Sequence, residues 1–431
     1  MSFVVAPALA LLACLSPLLT CLWLFQLKEW RLDRLREHLR REGVLAAAGG
    51  RIRPLIIAGA LIVRLVPGDV PLADGIALAL LALLSIGQIA ARRQRWPEWT
   101  KKAALIGIVA GALTAAAILY CTLALPVALP ALAMLQLISV LIAWTIVLPL
   151  DLRLRGRVFA AATARRVSLS KLRVIGIVGS VGKTTTKELT RAAIGSLHPL
   201  VTPAHVNTEL GLANWFLRET AGFGPDESRP VVVEMGAYSQ GEIALISAVL
   251  KPSIAVVTAL GSDHLALFGS EEAIIEANAE ILTALPANGS AILLADNDAS
   301  AALKGRASKT ILAGTATNAD LQIHDVHETA DGLAFTLDGQ PGTLPLRGRH
   351  NAGNAALALA VADALGVPRA QSLAGLANAT GLAGTFHVTE ENGVRILDDT
   401  YNISPLSLRA ALAWAESQPE RPRVLLTAGL L

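Results

Sequence analysis

Gly179-Ser-Val-Gly182-Lys183-Thr184 joins the residue types that bind phosphate: glycines, a lysine and a hydroxyl in one short run. Glycines let backbone N–H groups close on phosphate oxygens, and a following helix N-terminus adds positive potential. Lys183 would then reach terminal phosphates and the Thr184 hydroxyl would ligate Mg²⁺. The spacing departs from G-x-x-x-x-G-K-[ST], because Ile177 stands five before Gly182 and the first glycine, Gly179, comes late. Two further groups fall where such a loop needs them. Glu234 ends the apolar run Val231-Val-Val, and an acid at the tip of a neighbouring strand can hold Mg²⁺ or orient an attacking group. His264, in Ser262-Asp-His-Leu, follows the next apolar run, at the strand ends where open α/β sheets bind ligands. Each has a plainer reading, as a solvated strand-end acid and a structural histidine.

The elements that must position these groups are legible as alternation. Val174–Val178, short, apolar and β-branched, reads as a buried parallel strand running into the loop, and Thr186–Ser196 as the helix after it. Val231–Glu234, Ile254–Thr258, Ala291–Ala295 and Thr310–Ala313 continue the strands, with helical stretches between them. This implies a largely parallel sheet flanked by helices. Leu321–Leu346 is β-like and Asn351–Leu365 a long Ala-rich helix. Val394–Leu397 is a strand, Pro405–Glu416 a helix and Val424–Thr427 a strand.

The first 150 residues differ. The chain of 431 residues is 53% hydrophobic and 16% charged, with the apolar excess at this end. Phe3–Phe25 is long enough to cross a bilayer and lacks a basic region before it, so it reads as a retained span. Lys28-Glu-Trp-Arg-Leu-Asp-Arg-Leu-Arg-Glu-His-Leu-Arg-Arg41 reads as a basic amphipathic helix suited to anionic lipid, or as a solvated connector. Pro54–Pro67 is a short span interrupted by Arg64; Ile76–Ala91, Ala103–Leu125 and Ala131–Leu150 are clearer. Loops 26–53, 92–102 and 151–166 are rich in Lys and Arg, whereas 67–74 and 126–130 have none. The positive-inside rule then predicts five spans, an outside N-terminus and a cytoplasmic C-terminal half. No acid lies inside a clear span, so no ion pathway is indicated. Cys14, Cys21 and Cys121 all sit in apolar runs, which excludes a disulfide framework and a cysteine zinc site. With a net charge of +3, nothing points to a nucleic-acid partner. A primary transporter would need an ABC-type signature that is absent.

In order along the chain stand Gly179-Ser-Val-Gly-Lys-Thr-Thr-Thr-Lys-Glu188, Glu234-Met-Gly-Ala, Asp263-His-Leu with Phe268-Gly-Ser, Gly348-Arg-His-Asn-Ala-Gly-Asn354 and Asp398-Asp-Thr-Tyr-Asn402. From about Val174 onward the chain thus resembles the Mur ligases, most of all their D-alanyl-D-alanine-adding branch. The resemblance implies ATP and Mg²⁺ as cofactors and amide formation through an acyl phosphate. It implies nucleotide contacts from Gly179, Ser180, Gly182, Lys183, Thr184 and Thr185, and metal ligation by Thr184, Glu234 and His264. Lys183, Glu234 and His264 would be the catalytic groups. Asn351 and Asn354 would meet the adenine, Asp399 the nucleotide, and Asn207 with Thr208 the acceptor substrate. The implied partners are a nucleotide- or lipid-linked muropeptide, an amino acid or dipeptide, and membrane lipids. The implied location is the bacterial inner membrane, multi-pass.

Three positions depart from the family pattern. Asn278 stands where the family has a lysine carrying a metal-ligating carbamate, Thr385 where it has an arginine, and Ala259 where it has an asparagine. The expected division is a membrane domain over 1–156, a central ATP-binding domain over 157–397, and the start of a Rossmann-like domain over 398–431. With so little of that third domain, 398–431 is expected to pack on the central domain or fray. The chain as given is expected to bind nucleotide without forming an amide bond. Two alternatives are a membrane-anchored ligase of another polymer, such as poly-glutamate, and a non-catalytic nucleotide-binding membrane protein.

Overall fold

The computed structural model describes residues 4–44, 50–64, 70–380, 384–400, 404–418 and 424–426. The chain divides into two compact units, Met1–Arg155 and Gly156–Leu431.

The first unit is helical: α1 (Val5–Leu27), α2 (Leu32–Glu42), α3 (Ile52–Val63), α4 (Val70–Ala90), α5 (Lys101–Ala124) and α6 (Gln136–Ser168), whose last turns belong to the second unit. Among the described residues four helices are long and apolar enough to cross a membrane: α1, α4 from Leu72, α5 and α6. The fifth expected span ends at Val63 after 12 residues; Leu65–Pro67 lie outside the described residues, as does Phe3. At about 1.5 Å per residue α3 reaches roughly 18 Å, short of a hydrocarbon core of about 30 Å. Two other expectations need correction. The helix after it begins before Ile76, so it takes in Asp74, which pairs with Arg64; an acid does therefore lie in a span. The last span starts at Gln136, not Ala131, because Pro126 and Pro130 open two 3₁₀ turns ahead of it.

The basic segment also begins later than expected, at Leu32, since Glu29 and Trp30 adopt positive φ. Its apolar side is buried within the unit: Leu35 is 2% exposed and packs with Phe25, Ile106 and Val140. Leu39 is only partly buried and Leu32 stays 49% exposed, so the apolar side is covered in part.

The second unit is built on a nine-stranded sheet, in the order β2-β3-β1-β4-β5-β6-β7-β8-β9. The strands are β1 (Arg173–Val178), β2 (Leu200–Val201), β3 (Pro230–Glu234), β4 (Ile254–Val257), β5 (Ser290–Leu294), β6 (Thr310–Gly314), β7 (Leu321–Thr329), β8 (Gly332–Leu337) and β9 (Gln340–Leu344). β2 to β7 pair in parallel, and β7, β8 and β9 in antiparallel. The helices are α7 (Lys183–Ala193), α8 (Glu209–Glu219), α9 (Glu242–Leu250), α10 (Leu265–Phe268), α11 (Glu271–Thr283), α12 (Asp298–Ala301), α13 (His350–Ala364), α14 (Arg369–Ala377) and α15 (Pro405–Ser417). Two cores lie against the sheet. One joins Ile175, Ile177, Val256 and Ile292 to α13; the other joins Val174, Val178, Val233 and Val257 to Phe216, Ile246 and Ile281. Burial on both faces explains why the strands read as unbroken apolar runs.

The strand at Val394 is half of a hairpin, β10 (His387–Glu391) with β11 (Val394–Asp398), separate from the main sheet. The strand expected at Val424–Thr427 is not formed over Val424–Leu426, which have no pairing partner among the described residues; Thr427 lies outside them. Tyr401 and Asn402 of the Asp398 motif lie outside them too.

Candidate active site

The loop after β1 is made possible by its two glycines. Gly179 has φ +139° and a Cβ there would collide with Thr258 Oγ1. Gly182 has φ +90° and would place a Cβ 2.7 Å from Asn354 Oδ1. No L side chain is tolerated at either without strain. Gly182 is also the N-cap of α7, so the helix starts at Lys183 and not at Thr186. Lys183, Thr184 and Thr185 therefore occupy its first turn, where backbone N–H groups lack intrahelical partners and a positive dipole end faces outward. This cradle fits a polyphosphate.

The loop is held down by residues after β4. Ser180 and Val181 donate their backbone N–H to the Ala259 carbonyl at 2.9 and 3.1 Å. Thr258 Oγ1 donates to the Val181 carbonyl at 2.7 Å, and Ser180 Oγ accepts from the Gly261 N–H at 3.0 Å. Ala259, marked as a departure at its side chain, thus contributes through its backbone.

Lys183 Nζ donates to the carbonyls of Gly179 (2.6 Å) and Ser180 (2.8 Å), curling over the loop. Burial pulls its ammonium below the ordinary lysine range, while the Glu234 and Asp263 carboxylates oppose that fall. Asp263 is displaced upward, chiefly by burial, with Lys183 opposing. Thr184 Oγ1 donates to Glu234 Oε1 at 3.0 Å. Glu234 is 6% exposed, and its other oxygen, Oε2, stands 3.3 Å from Lys187 Nζ. A threonine hydroxyl on a buried carboxylate beside a lysine suits Mg²⁺, which takes one or two protein oxygens and completes its shell with phosphate and water. Among the described residues no group of three or more His, Cys, Asp or Glu is arranged to hold a metal ion. A fit to metal therefore rests on Thr184 and Glu234.

The remaining predicted residues divide into those brought to the loop and those held apart from it. Asn354 Oδ1 accepts from Thr186 Oγ1 at 3.3 Å, and its Nδ2 donates to Asn351 Oδ1 at 3.0 Å. Asn351 in turn donates to the Arg347 carbonyl at 2.8 Å. These two buried amides tie α13 to α7 immediately under Gly182. The Asn207 carbonyl accepts from the Gly236 N–H at 2.9 Å, two residues past Glu234, and Thr208 stands beside it at the N-cap position of α8, without a side-chain capping bond. His264 has φ +58° and its ring lies 4.6 Å from Tyr238, four residues past Glu234. Asp399 makes its contact elsewhere: Oδ1 accepts from the Phe386 N–H at 2.9 Å, and burial raises this acid. Asn278 is buried and donates to the Ile274 carbonyl of its own helix at 2.8 Å. Thr385 Oγ1 is buried without a hydrogen-bond partner.

Sequence reasoning missed Lys187, Asp263 and Tyr238. Lys187 and Asp263 stood within quoted motifs but carried no signal of their own; the buried face that Lys187 shares with Thr186, Leu189 and Thr190 shows only in the fold.

Residues 177–362 match the Mur ligase middle domain. Over 250 residues the chain is 34% identical to the UDP-N-acetylmuramoyl-tripeptide–D-alanyl-D-alanine ligase of Bacillus subtilis, covering 57% of this chain and 53% of that one. To the enzyme of the same name from Escherichia coli it is 34% identical over 256 residues, 57% of this chain and 56% of that one. The chain thus spans about half the length of the curated relatives it matches. Among solved structures, MurF from Acinetobacter baumannii superposes with a TM-score of 0.56 at 30% identity, over 61% of this chain and 58% of the other. The MurF ligase of Thermotoga maritima in complex with ADP gives 0.52 at 29% identity, over 59% and 60%.

Proposed function

We propose, from the match of residues 177–362 to the Mur ligase middle domain, that the chain is a membrane-anchored, ATP-dependent Mur-type ligase acting on a cell-envelope precursor. The observation that carries this reading is the Thr184 hydroxyl on Glu234 at 3.0 Å, in the helix turn that also bears Lys183. In this reading the N–H groups of Gly182 to Thr185 bind the phosphates and Lys183 neutralises the terminal ones. Thr184 and Glu234 hold Mg²⁺, which when bound screens crowded phosphate charge. Asn351 and Asn354 flank the base, His264 stands at the second metal position, and Asp399 approaches the nucleotide from the hairpin side. Asn207 and Thr208 line the acceptor side, where a UDP-N-acetylmuramoyl peptide is the natural candidate because the relatives' names specify one. D-alanyl-D-alanine is the candidate amine for the same reason. The four long apolar helices anchor the chain in the bacterial inner membrane; with α3 as a fifth crossing, the Lys/Arg-rich loops favour a cytoplasmic sheet unit, where ATP is found.

A second reading is a nucleotide-binding membrane protein without ligase chemistry. It is favoured by Asn278, whose amide bonds its own helix, and by Thr385, whose hydroxyl has no partner. The two readings separate in one assay. Purified chain in nanodiscs is incubated with ATP, Mg²⁺, UDP-N-acetylmuramoyl-tripeptide and D-alanyl-D-alanine, and mass spectrometry looks for the ligated product. Product that requires Lys183 establishes the ligase. ATP binding without product matches the expectation for the chain as given and leaves the second reading, and absence of both removes the two together.

A further inference from the structure

We propose that Lys187 is a positioning residue that keeps Glu234 aimed at Thr184, and so governs how strongly a divalent cation joins the bound nucleotide. The inference rests on the nucleotide reading above. Lys187 is 0% exposed, on the buried face of α7. Its Nζ makes no hydrogen bond and lies 3.3 Å from Glu234 Oε2, with Glu188 Oε1 farther off at 3.7 Å. Burying an ammonium costs several kcal/mol unless an opposite charge meets it. An apolar side chain would fill this position without that cost, so the lysine is explained by the carboxylate it faces.

Glu234 is divided between two partners. Oε1 accepts the Thr184 hydroxyl, Oε2 faces Lys187, and its backbone N–H donates to Thr202 Oγ1 at 3.2 Å. With both oxygens engaged the carboxylate has a fixed orientation, as the acids behind a metal site require. Lys187 is fully buried on α7, and the charged groups it faces are Glu234 and Glu188. Its action on the cation therefore passes through Glu234, whereas Lys183 acts from the loop itself.

The test titrates the full-length chain in detergent with fluorescent mant-ATP, in Mg²⁺ and in EDTA. Lys187→Met should leave the EDTA affinity unchanged and reduce the Mg²⁺-dependent gain by about tenfold or more, the usual effect of removing a partner behind a metal ligand. Glu234→Gln and the double variant Lys187→Met/Glu234→Gln should show the same loss, not a larger one, because both act through one carboxylate. Equal weakening in Mg²⁺ and EDTA would show that Lys187 only supports the fold, and additive losses would show that it acts independently; either overturns the inference. If Lys187→Met fails to fold, the double variant, which removes both charges, should fold and lack the Mg²⁺ gain. A double variant that is unfolded, or that keeps the gain, also overturns it. A wild-type chain that binds no mant-ATP under either condition overturns instead the nucleotide reading on which the inference depends.

Discussion

At the scale of single residues, Gly182 meets two demands at once. Its φ of +90° is open to glycine and strained for any L side chain, and Asn354 Oδ1 occupies the space a Cβ needs. Gly182→Ala should therefore destabilise the sheet unit by about 1–2 kcal/mol, from the left-handed backbone alone. It should also weaken nucleotide binding by moving the first turn of α7. Thermal unfolding of the variant in detergent checks the first effect; an unchanged melting temperature would show the loop relaxes freely. Asn278 poses the opposite question, of a residue whose type is unexpected. If the resemblance holds at that position, Asn278→Lys assayed with added bicarbonate should raise Mg²⁺-dependent ATP turnover over the wild type. No bicarbonate effect would mean the position has lost its metal-side role. Gly179, Lys183, Thr184 and Glu234 were legible in the sequence because loop, lysine, hydroxyl and strand-end acid occur in fixed order. Lys187 was not singled out, since a lysine in a polar helix start reads as solvated until the fold shows the face it occupies.

At the scale of elements, continuous apolar runs made β1, β3, β4, β5 and β6 readable to within a residue or two, whereas the two-residue β2 was not read. The helix after the loop was read three residues late because a glycine N-cap has no side-chain signal. The hairpin β10–β11 was half seen: Val394–Leu397 has an apolar run, but its partner His387–Glu391 has one apolar residue, Val388, and is mostly exposed. The segment after it was expected to pack on the central domain or fray. Among the described residues, α15 packs. Trp414 Nε1 donates to Glu328 Oε2 at 3.2 Å, and its indole meets the Phe386 ring edge-on at 6.1 Å. Ser404 closes a capping box with Ser407 at the start of the same helix. Trp414→Ala should release α15 and open it to limited proteolysis, while Trp414→Phe should keep most of the protection because the ring packing survives. Equal cleavage in wild type and Trp414→Ala would show that the indole does not anchor the helix.

At the scale of the whole molecule, composition separated a membrane part from an α/β part before any element was drawn. The number of crossings was less legible, because α3 is apolar but short and Arg64 at its end pairs with Asp74. A topology reporter fused at Leu125–Pro130 should behave as extracytoplasmic and one at Arg95 as cytoplasmic; a cytoplasmic signal from both would overturn the expected topology, since α5 would then not cross. The account as a whole depends on one event, the capture of a nucleoside triphosphate by the loop Gly179–Thr184. Isothermal titration of the purified chain with ATPγS and Mg²⁺ measures it directly. The wild type should bind one equivalent, and Lys183→Ala should lose most of that affinity while its melting temperature stays close to wild type, since Lys183 bonds only to its own loop. Undiminished ATPγS binding in Lys183→Ala, or none in the wild type, would contradict the account.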